Sequence, residues 1–449
     1  MPTTHPLRLE LHHEVHARPP EALTGPLVVA HHVMWTAGDG DAPASSRTHL
    51  NDLLAGAGLE ALAEGVNFHR ADLGGFVLRW EQHTEFVSWT FMRPMPVDEL
   101  QALQHGPQPG ALLAPAAWRH ALPGQCLAHL QLWAVPRKSL DAQQVVARLF
   151  DPASVTGSTV ISGSSDLHTD MQMHADGSIR LLVLLGETAP GAVSPRRLGR
   201  LVQRLLDIET YRMAALMGLP AARESIAWLA GREAELALLA QAVRQAVPQD
   251  EAQLLDRLTR LAAEVEGRYA ATHTRFSASA AYFELVQQRL DDIAETRIAG
   301  MQSLHDFMQR RLTPAMHTCR SAQRRQDALS QRIERISGLL RTRVEVEQQH
   351  SSRELLAGMN RRQDLQLKLQ STVEGLSVAA ISYYVLGLLG YLLKGAQKIG
   401  WPFGVEVSIA VAVPVVVITV WWSLRQLHHR VIGSGHDAPG TLPHRAGDD

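Results

Sequence analysis

Cysteine is almost absent: Cys126 and Cys319 are the only two in 449 residues, far apart and without a CxxC pair. That excludes a disulfide framework and a cysteine zinc site, and it suits a reducing compartment. Lysine is scarce as well, confined to Lys138, Lys368, Lys394 and Lys398, with arginine supplying the other basic side chains. The net charge of -2 gives no basic field, so no nucleic-acid partner is expected. The amino terminus, MPTTHPLRLELHHEVHARPP, lacks the continuous apolar run of a cleaved secretory signal. Neither a Gly-rich phosphate loop followed by lysine nor a G-x-S-x-G elbow occurs, and "SGSS" at Ser162 to Ser165 reads as a loop. No catalytic residue and no resident cofactor is therefore expected.

What is present divides the chain in two. Residues 1–195 are punctuated by Gly, Pro and short β-rich runs, the mixture of an α+β or α/β domain. Candidate strands are Leu27 to Met34, Phe76 to Trp80 with Glu85 to Met92 as a hairpin, Cys126 to Val135, Thr159 to Ser162, Leu167 to His174 and Ile179 to Leu185. "HADGSIRLLVLL" suggests a second antiparallel hairpin turning at Asp176-Gly177. His49 to Leu62 and Leu140 to Leu149 carry helical spacing. Over residues 196–374 strong helix formers take over. A helix should start at Pro248, with Leu254, Leu258, Leu261 and Val265 forming a stripe that Leu329, Ile333, Ile336 and Leu340 repeat. Such stripes must be buried, within the chain or in a coiled coil with another copy. Pro314 should kink or restart its helix. Beyond it no breaker appears before Gly375, which predicts a stalk on the order of 80 to 90 Å long at 1.5 Å per residue.

Two apolar segments close the chain. Gly375 to Leu393 has no charge over 19 residues and Val407 to Leu424 none over 18. Both approach the length needed to cross a bilayer, and aromatic residues mark their ends. With the short "KGAQKIGWPFGVE" between them they read as a transmembrane helical hairpin over residues 375–430, with the lipid bilayer as partner. Arg353, Arg361, Arg362 and Lys368 precede it and Arg425 and Arg430 follow, against Lys394 and Lys398 in the loop. The positive-inside rule then puts both termini in the cytoplasm. Residues 431–449 read as a disordered tail. Ser377, Tyr384 and Tyr391 recur at intervals of seven along the first span and would face a pore if there is one. Ser382 belongs to a neighbouring row, where small residues let the two spans pack closely.

"TVEGLSVAAISYYV" at Thr372 to Val385, "HHEVHARPPEAL" at His12 to Leu23, "ADLGGF" at Ala71 to Phe76, "RWEQHTEF" at Arg79 to Phe86 and "RLVQRLLDIETYRMAAL" at Arg200 to Leu216 carry a resemblance. In these motifs the chain resembles an uncharacterised bacterial family of membrane-anchored proteins with a domain of unknown function. That resemblance implies a location, the inner membrane of a bacterial cell, and supplies no catalytic residues. In its order of parts, an α/β domain, a long stalk and a two-helix hairpin, the chain is also similar to the CorA-type magnesium transporters. That likeness implies a homo-oligomer, a pore lined by the first span and a divalent cation as cargo. The Gly-Met-Asn motif of those transporters is missing where "GYLLKG" stands, and the Gly358-Met359-Asn360 triplet precedes the span.

His12, His13 and His16 beside Glu14 are the candidate metal ligands, although their spacing is one residue short of HExxH. "EQHTE" at Glu81 to Glu85 and "HTDMQMH" at His168 to His174 could join a site, whereas strand alternation favours solvent-facing positions for them. The function expected from the sequence is thus a structural, sensing or scaffold role at the membrane, with a CorA-like cation channel or transporter as the alternative.

Overall fold

The computed structural model describes residues 21–63, 65–106, 116–186, 193–398 and 404–433, with positions 5, 7, 8 and 402 besides. Two compact units divide it, Met1–Leu340 and Arg341–Asp449.

The first unit is built on a nine-stranded sheet. Its strands are β1 (Leu27–Trp35), β2 (Phe68–Asp72), β3 (Val77–Gln82), β4 (Phe86–Pro94), β5 (Gln125–Pro136), β6 (Thr156–Val160), β7 (Ser165–Thr169), β8 (Ile179–Leu185) and β9 (Thr296–Arg297). They lie in the order β2-β3-β4-β1-β5-β8-β7-β6-β9. The pairs are antiparallel except β5 with β8, which run parallel. The hairpin expected at Phe76 to Met92 is β3–β4, and β7 and β8 pair antiparallel, as the "HADGSIRLLVLL" pattern suggested. β1 is buried at all but its last position, as befits a central strand covered on both faces. Strand β2, "FHRAD", was not anticipated, because an edge strand is polar and carries no apolar alternation.

Short helices α1 (Ala42–Gly56), α2 (Val97–Ala102), α3 (Ala116–His120) and α4 (Ala142–Leu149) connect the strands. Leu50 and Leu54 of α1 cover Trp80, Trp89 and Phe91, while Val145 and Leu149 of α4 cover Trp133 and Leu182 on the same face. Asp141 caps α4 by accepting the backbone N–H groups of Gln143 and Gln144 at 3.0 and 3.2 Å.

The other face takes the long helices α5 (Pro195–Leu216), α6 (Gly218–Gln245) and α7 (Pro248–Asp292), with the start of α8 (Leu304–Gln397). Leu198, Val202 and Leu205 of α5, Phe283 and Val286 of α7 and Met308 of α8 bury against Leu27, Val29, Leu132 and Val183 of the sheet. Chain entering from Glu21 lies over the first turns of α5: Leu23 N–H donates to Pro195 O at 2.9 Å, and a Cβ on Gly199 would overlap the Glu21 carbonyl. The two leucine stripes find each other inside this unit. Leu254, Leu258, Leu261 and Val265 of α7 share one cluster with Leu229, Leu236 and Leu239 of α6 and with Leu329, Ile333 and Leu340 of α8. Pro314 does not end or restart its helix: α8 is assigned without a break through it, and Thr318 Oγ1 donates to the Pro314 carbonyl at 3.0 Å.

The second unit contains the remainder of α8 and helix α9 (Val405–Gly433). A mixed α+β sheet domain is thus followed by a long helix and a second apolar helix. A Cβ on Gly390 would touch Ile409 Cδ1 at 3.4 Å, so the two helices approach closely there; Ser382 is 4% exposed, whereas Gly375 in the Ser382 row is exposed with nothing within 4 Å. Leu388, Leu392, Val411 and Ile418 are exposed.

Replacing Leu258 by Ala should cost about 2–5 kcal/mol through the cavity it leaves among three helices. Leu238→Ala, at an exposed position on α6, should stay within about 0.5 kcal/mol. Urea unfolding of the detergent-solubilised chain, followed by circular dichroism, checks the contrast.

Candidate functional site

In β3 the alternation of "LRWEQ" sends Leu78 and Trp80 into the apolar layer under α1 and turns Arg79 and Glu81 to the opposite face. There the sheet meets α5, whose apolar stripe is flanked by Gln203, Asp207, Thr210 and Tyr211 at spacings of four, three and one. Arg289 arrives from α7, while Phe68, His31, Phe86 and Ser88 come from neighbouring strands. These groups, with His83 from the β3–β4 turn, enclose a cavity of about 200 Å3.

His31 fixes the sheet to α5. Its Nδ1 lies 2.8 Å from Thr90 Oγ1 and its Nε2 3.0 Å from Thr210 Oγ1. The Thr210 hydroxyl gives its own hydrogen to the Leu206 carbonyl at 2.9 Å, so it can only accept from His31. That assigns the proton to Nε2 and makes Nδ1 the acceptor of the Thr90 hydroxyl, a neutral imidazole. Burial, reinforced by the positive charge of Arg79, lowers the His31 pKa from 6.5 to about 3.

Two carboxylates and two guanidinium groups surround the space. Asp207 accepts Arg289 Nε at 2.8 Å and Gln203 Nε2 at 2.7 Å. Burial nonetheless pushes its carboxyl above the ordinary range, against the pull of those donors and with a further push from Glu81. Glu81 Oε2 accepts the Ser88 hydroxyl at 3.3 Å and lies 3.7 Å from Arg79 Nε. Arg79 is only 5% exposed, and its Nε and Nη2 have no hydrogen-bond partner among the described residues. Close by, Arg275 forms a two-pronged pair with Glu85 at 2.6 and 3.1 Å and lies over the Trp35 ring at 5.2 Å. Tyr282, stacked on Tyr211, has its hydroxyl pKa raised by burial and by its hydrogen bond to Glu85.

The sequence motifs fall in different places. Glu81 and His83 of "EQHTE" line the cavity, so Glu81 is not the solvent-facing strand residue that alternation favoured; α5 roofs the face it points to. "HTDMQMH" contributes nothing to the cavity lining. Its Asp170 instead locks a loop, accepting the Asp151 and Gln172 backbone N–H groups at 3.1 and 3.2 Å and pairing with His174. On the sheet face opposite His31, His32 stacks on His129 at 4.1 Å. Burial above all holds both imidazoles neutral, lowering His129 to about 4. His12, His13 and His16 lie outside the described residues. Among the described residues no group of three His, Cys, Asp or Glu is placed to hold a metal. Tyr384 and Tyr391 are 70% and 77% exposed, and the Ser377 hydroxyl donates to the Val373 carbonyl at 2.8 Å. Nothing local in the sequence marks Arg79 or Arg289, or an Asp inside "LLDIE", as a cavity residue.

Fold and site define a class: a mixed α+β sheet domain with an internal charged cavity, on one chain with two helices long and apolar enough to cross a membrane. Within that class the chain belongs to the family described as proteins of unknown function, DUF3422, whose sequence model matches residues 3–431. No curated protein and no solved structure matches it.

The lowered His31 pKa sets a sign. Between pH 6.5 and 3 the unfolded chain binds a proton that the folded one refuses, so stability falls as the pH drops through that window. His31→Gln should reduce the slope of unfolding free energy between about pH 6.5 and 5 by up to about 1.4 kcal/mol per pH unit. The slope that remains belongs in part to His32 and His129. Urea midpoints measured across that range test it.

Proposed function

We propose that this chain is an integral protein of the bacterial inner membrane that senses a small polar ligand with its cytoplasmic sheet domain. The single observation carrying the anchor is the pair of consecutive charge-free stretches, Gly375 to Leu393 and Val407 to Leu424, whose apolar side chains point outward. The arginine-rich flanks outside the hairpin favour cytoplasmic placement of residues 1–374 and of the tail. Sensing is favoured over a purely structural or scaffold role by the cavity, because packing alone has no use for a buried guanidinium with open donors. Leu355, Met359, Leu369, Val373 and Leu376 are exposed on α8 and fall on one seam of alternating four- and three-residue steps, with Arg362 and Gln366 between. That seam suits copies of the same chain, giving a homo-oligomer.

In washed membranes the protein should stay in the pellet through alkaline carbonate and urea, and deletion of 375–430 should release it. Orientation is read by cysteines introduced at Lys398 and Thr441 in a Cys126→Ser background. A membrane-impermeant maleimide should label Lys398→Cys in spheroplasts and Thr441→Cys only after lysis. The reverse pattern would overturn the topology.

A CorA-like cation channel or transporter lacking Gly-Met-Asn is the second reading, favoured by one observation: Tyr384 and Tyr391 remain uncovered where an oligomer would turn a face inward. An anchor predicts Mg2+ entry into proteoliposomes no faster than into protein-free vesicles. Entry that Tyr384→Ala or Tyr391→Ala alters would establish the pore instead.

A further inference from the structure

The Arg79 side chain presents an unmet demand. Its Nε and Nη2 hydrogens form the side-on fork of the guanidinium, two parallel donors that match two coplanar oxygens. Both are buried and neither is hydrogen-bonded. The one carboxylate oxygen near them, Glu81 Oε2, stands 3.7 Å from Nε and already accepts the Ser88 hydroxyl. Buried donors left open are costly, and more so on a charged group, so the site lacks an acceptor that the described residues do not provide.

The rest of the lining says what that acceptor is attached to. Arg79 and Arg289 are balanced by Glu81 and Asp207, and the hydrogen bonds of His31 hold it neutral. A bare oxyanion would upset that balance, whereas a molecule with separated charges and no net charge preserves it. Glu81 and Asp207 repel each other, and a cation facing both would relieve the repulsion. At about 200 Å3 the cavity lies below the roughly 300–1,000 Å3 of pockets for drug-sized ligands, which suits a small molecule. Phe68 and Phe86 supply an apolar wall for a short side chain.

We propose that the cavity binds a small zwitterionic amino acid, its carboxylate gripped by the Arg79 fork and its ammonium facing Glu81 and Asp207. The assignment rests on the sensor reading, which makes the cavity a ligand site, and names the ligand class; it does not depend on the membrane anchor.

The test is calorimetric titration of the full chain in detergent with glycine, L-alanine, acetate, methylammonium and orthophosphate. Glycine and L-alanine should bind at least tenfold more tightly than acetate or methylammonium, and orthophosphate should not compete. Arg79→Lys keeps the charge and loses the fork, and should weaken L-alanine at least tenfold. Asp207→Asn should weaken L-alanine while strengthening acetate, a reversal that mere misfolding does not produce; it carries the test if the Arg79 variant does not fold. Acetate or orthophosphate binding as tightly as L-alanine, or acetate affinity unchanged in Asp207→Asn, would overturn the amino-acid assignment and leave a ligand site. No heat with any probe would mean a cavity filled by water alone, and would overturn the sensor reading with it.

Discussion

The packing of one helix, α5, across one face of the sheet is the contact from which the site follows. Eleven of its 22 residues are buried, Thr210 among them, and the Asp207 side chain beside them is only 15% exposed. The sheet face below is equally committed, because Arg79 and Glu81 must point opposite to Leu78 and Trp80. Charge is therefore trapped at a sheet–helix interface, where it persists only if paired and hydrogen-bonded. The chain meets most of that demand: Arg289 and Gln203 serve Asp207, and Ser88 serves Glu81. The part it leaves open is the Arg79 fork.

The adjacent histidines of β1 show how far a single strand position decides chemistry. His31 and His32 are neighbours in sequence and point to opposite faces. His31 is satisfied at both nitrogens and acts as a neutral strut between β4 and α5. His32 stacks on His129 and has an unpartnered Nε2 among aromatic rings, with Phe91 edge-on to it. Neither can carry charge near neutral pH, which removes both as cations that an anionic ligand could use and leaves the Arg79 fork as an open donor among the described residues.

Much of the architecture was legible in the sequence. The strongest strands, β1, β4, β5 and β8, are apolar, aromatic and β-branched, and the turns between β3 and β4 and before β8 carry polar residues with Asp176-Gly177. The four-three stripes of α7 and α8 were visible because burying a narrow helical face leaves a strict period. Strand β2 was not visible, since its sequence "FHRAD" is that of an edge. The parallel pairing of β5 with β8 was not legible either, because it joins segments more than forty residues apart. The site was half legible. Alternation favoured solvent for Glu81, and only the long-range arrival of α5 and α7 makes the face it points to an interior.

Occupancy of the cavity has a physical route to the helical layer. Arg289 sits near the carboxy-terminal end of α7 and Leu254 to Val265 near its start, the latter packed against Leu329, Ile333 and Leu340 of α8. A ligand that takes over part of the charge on Asp207 changes the partner of Arg289, and so alters the free energy with which α7 lies on α5. Such a change is transmitted only if α7 has two arrangements that the ligand binds with different affinity. The polar α5–α7 contact supplies the condition for that difference: the Asp207–Arg289 pair is directional and can be exchanged for a pairing with ligand. The leucine cluster at the other end of α7 is apolar and offers no such exchangeable pairing, so it ties that end of the helix to α6 and α8.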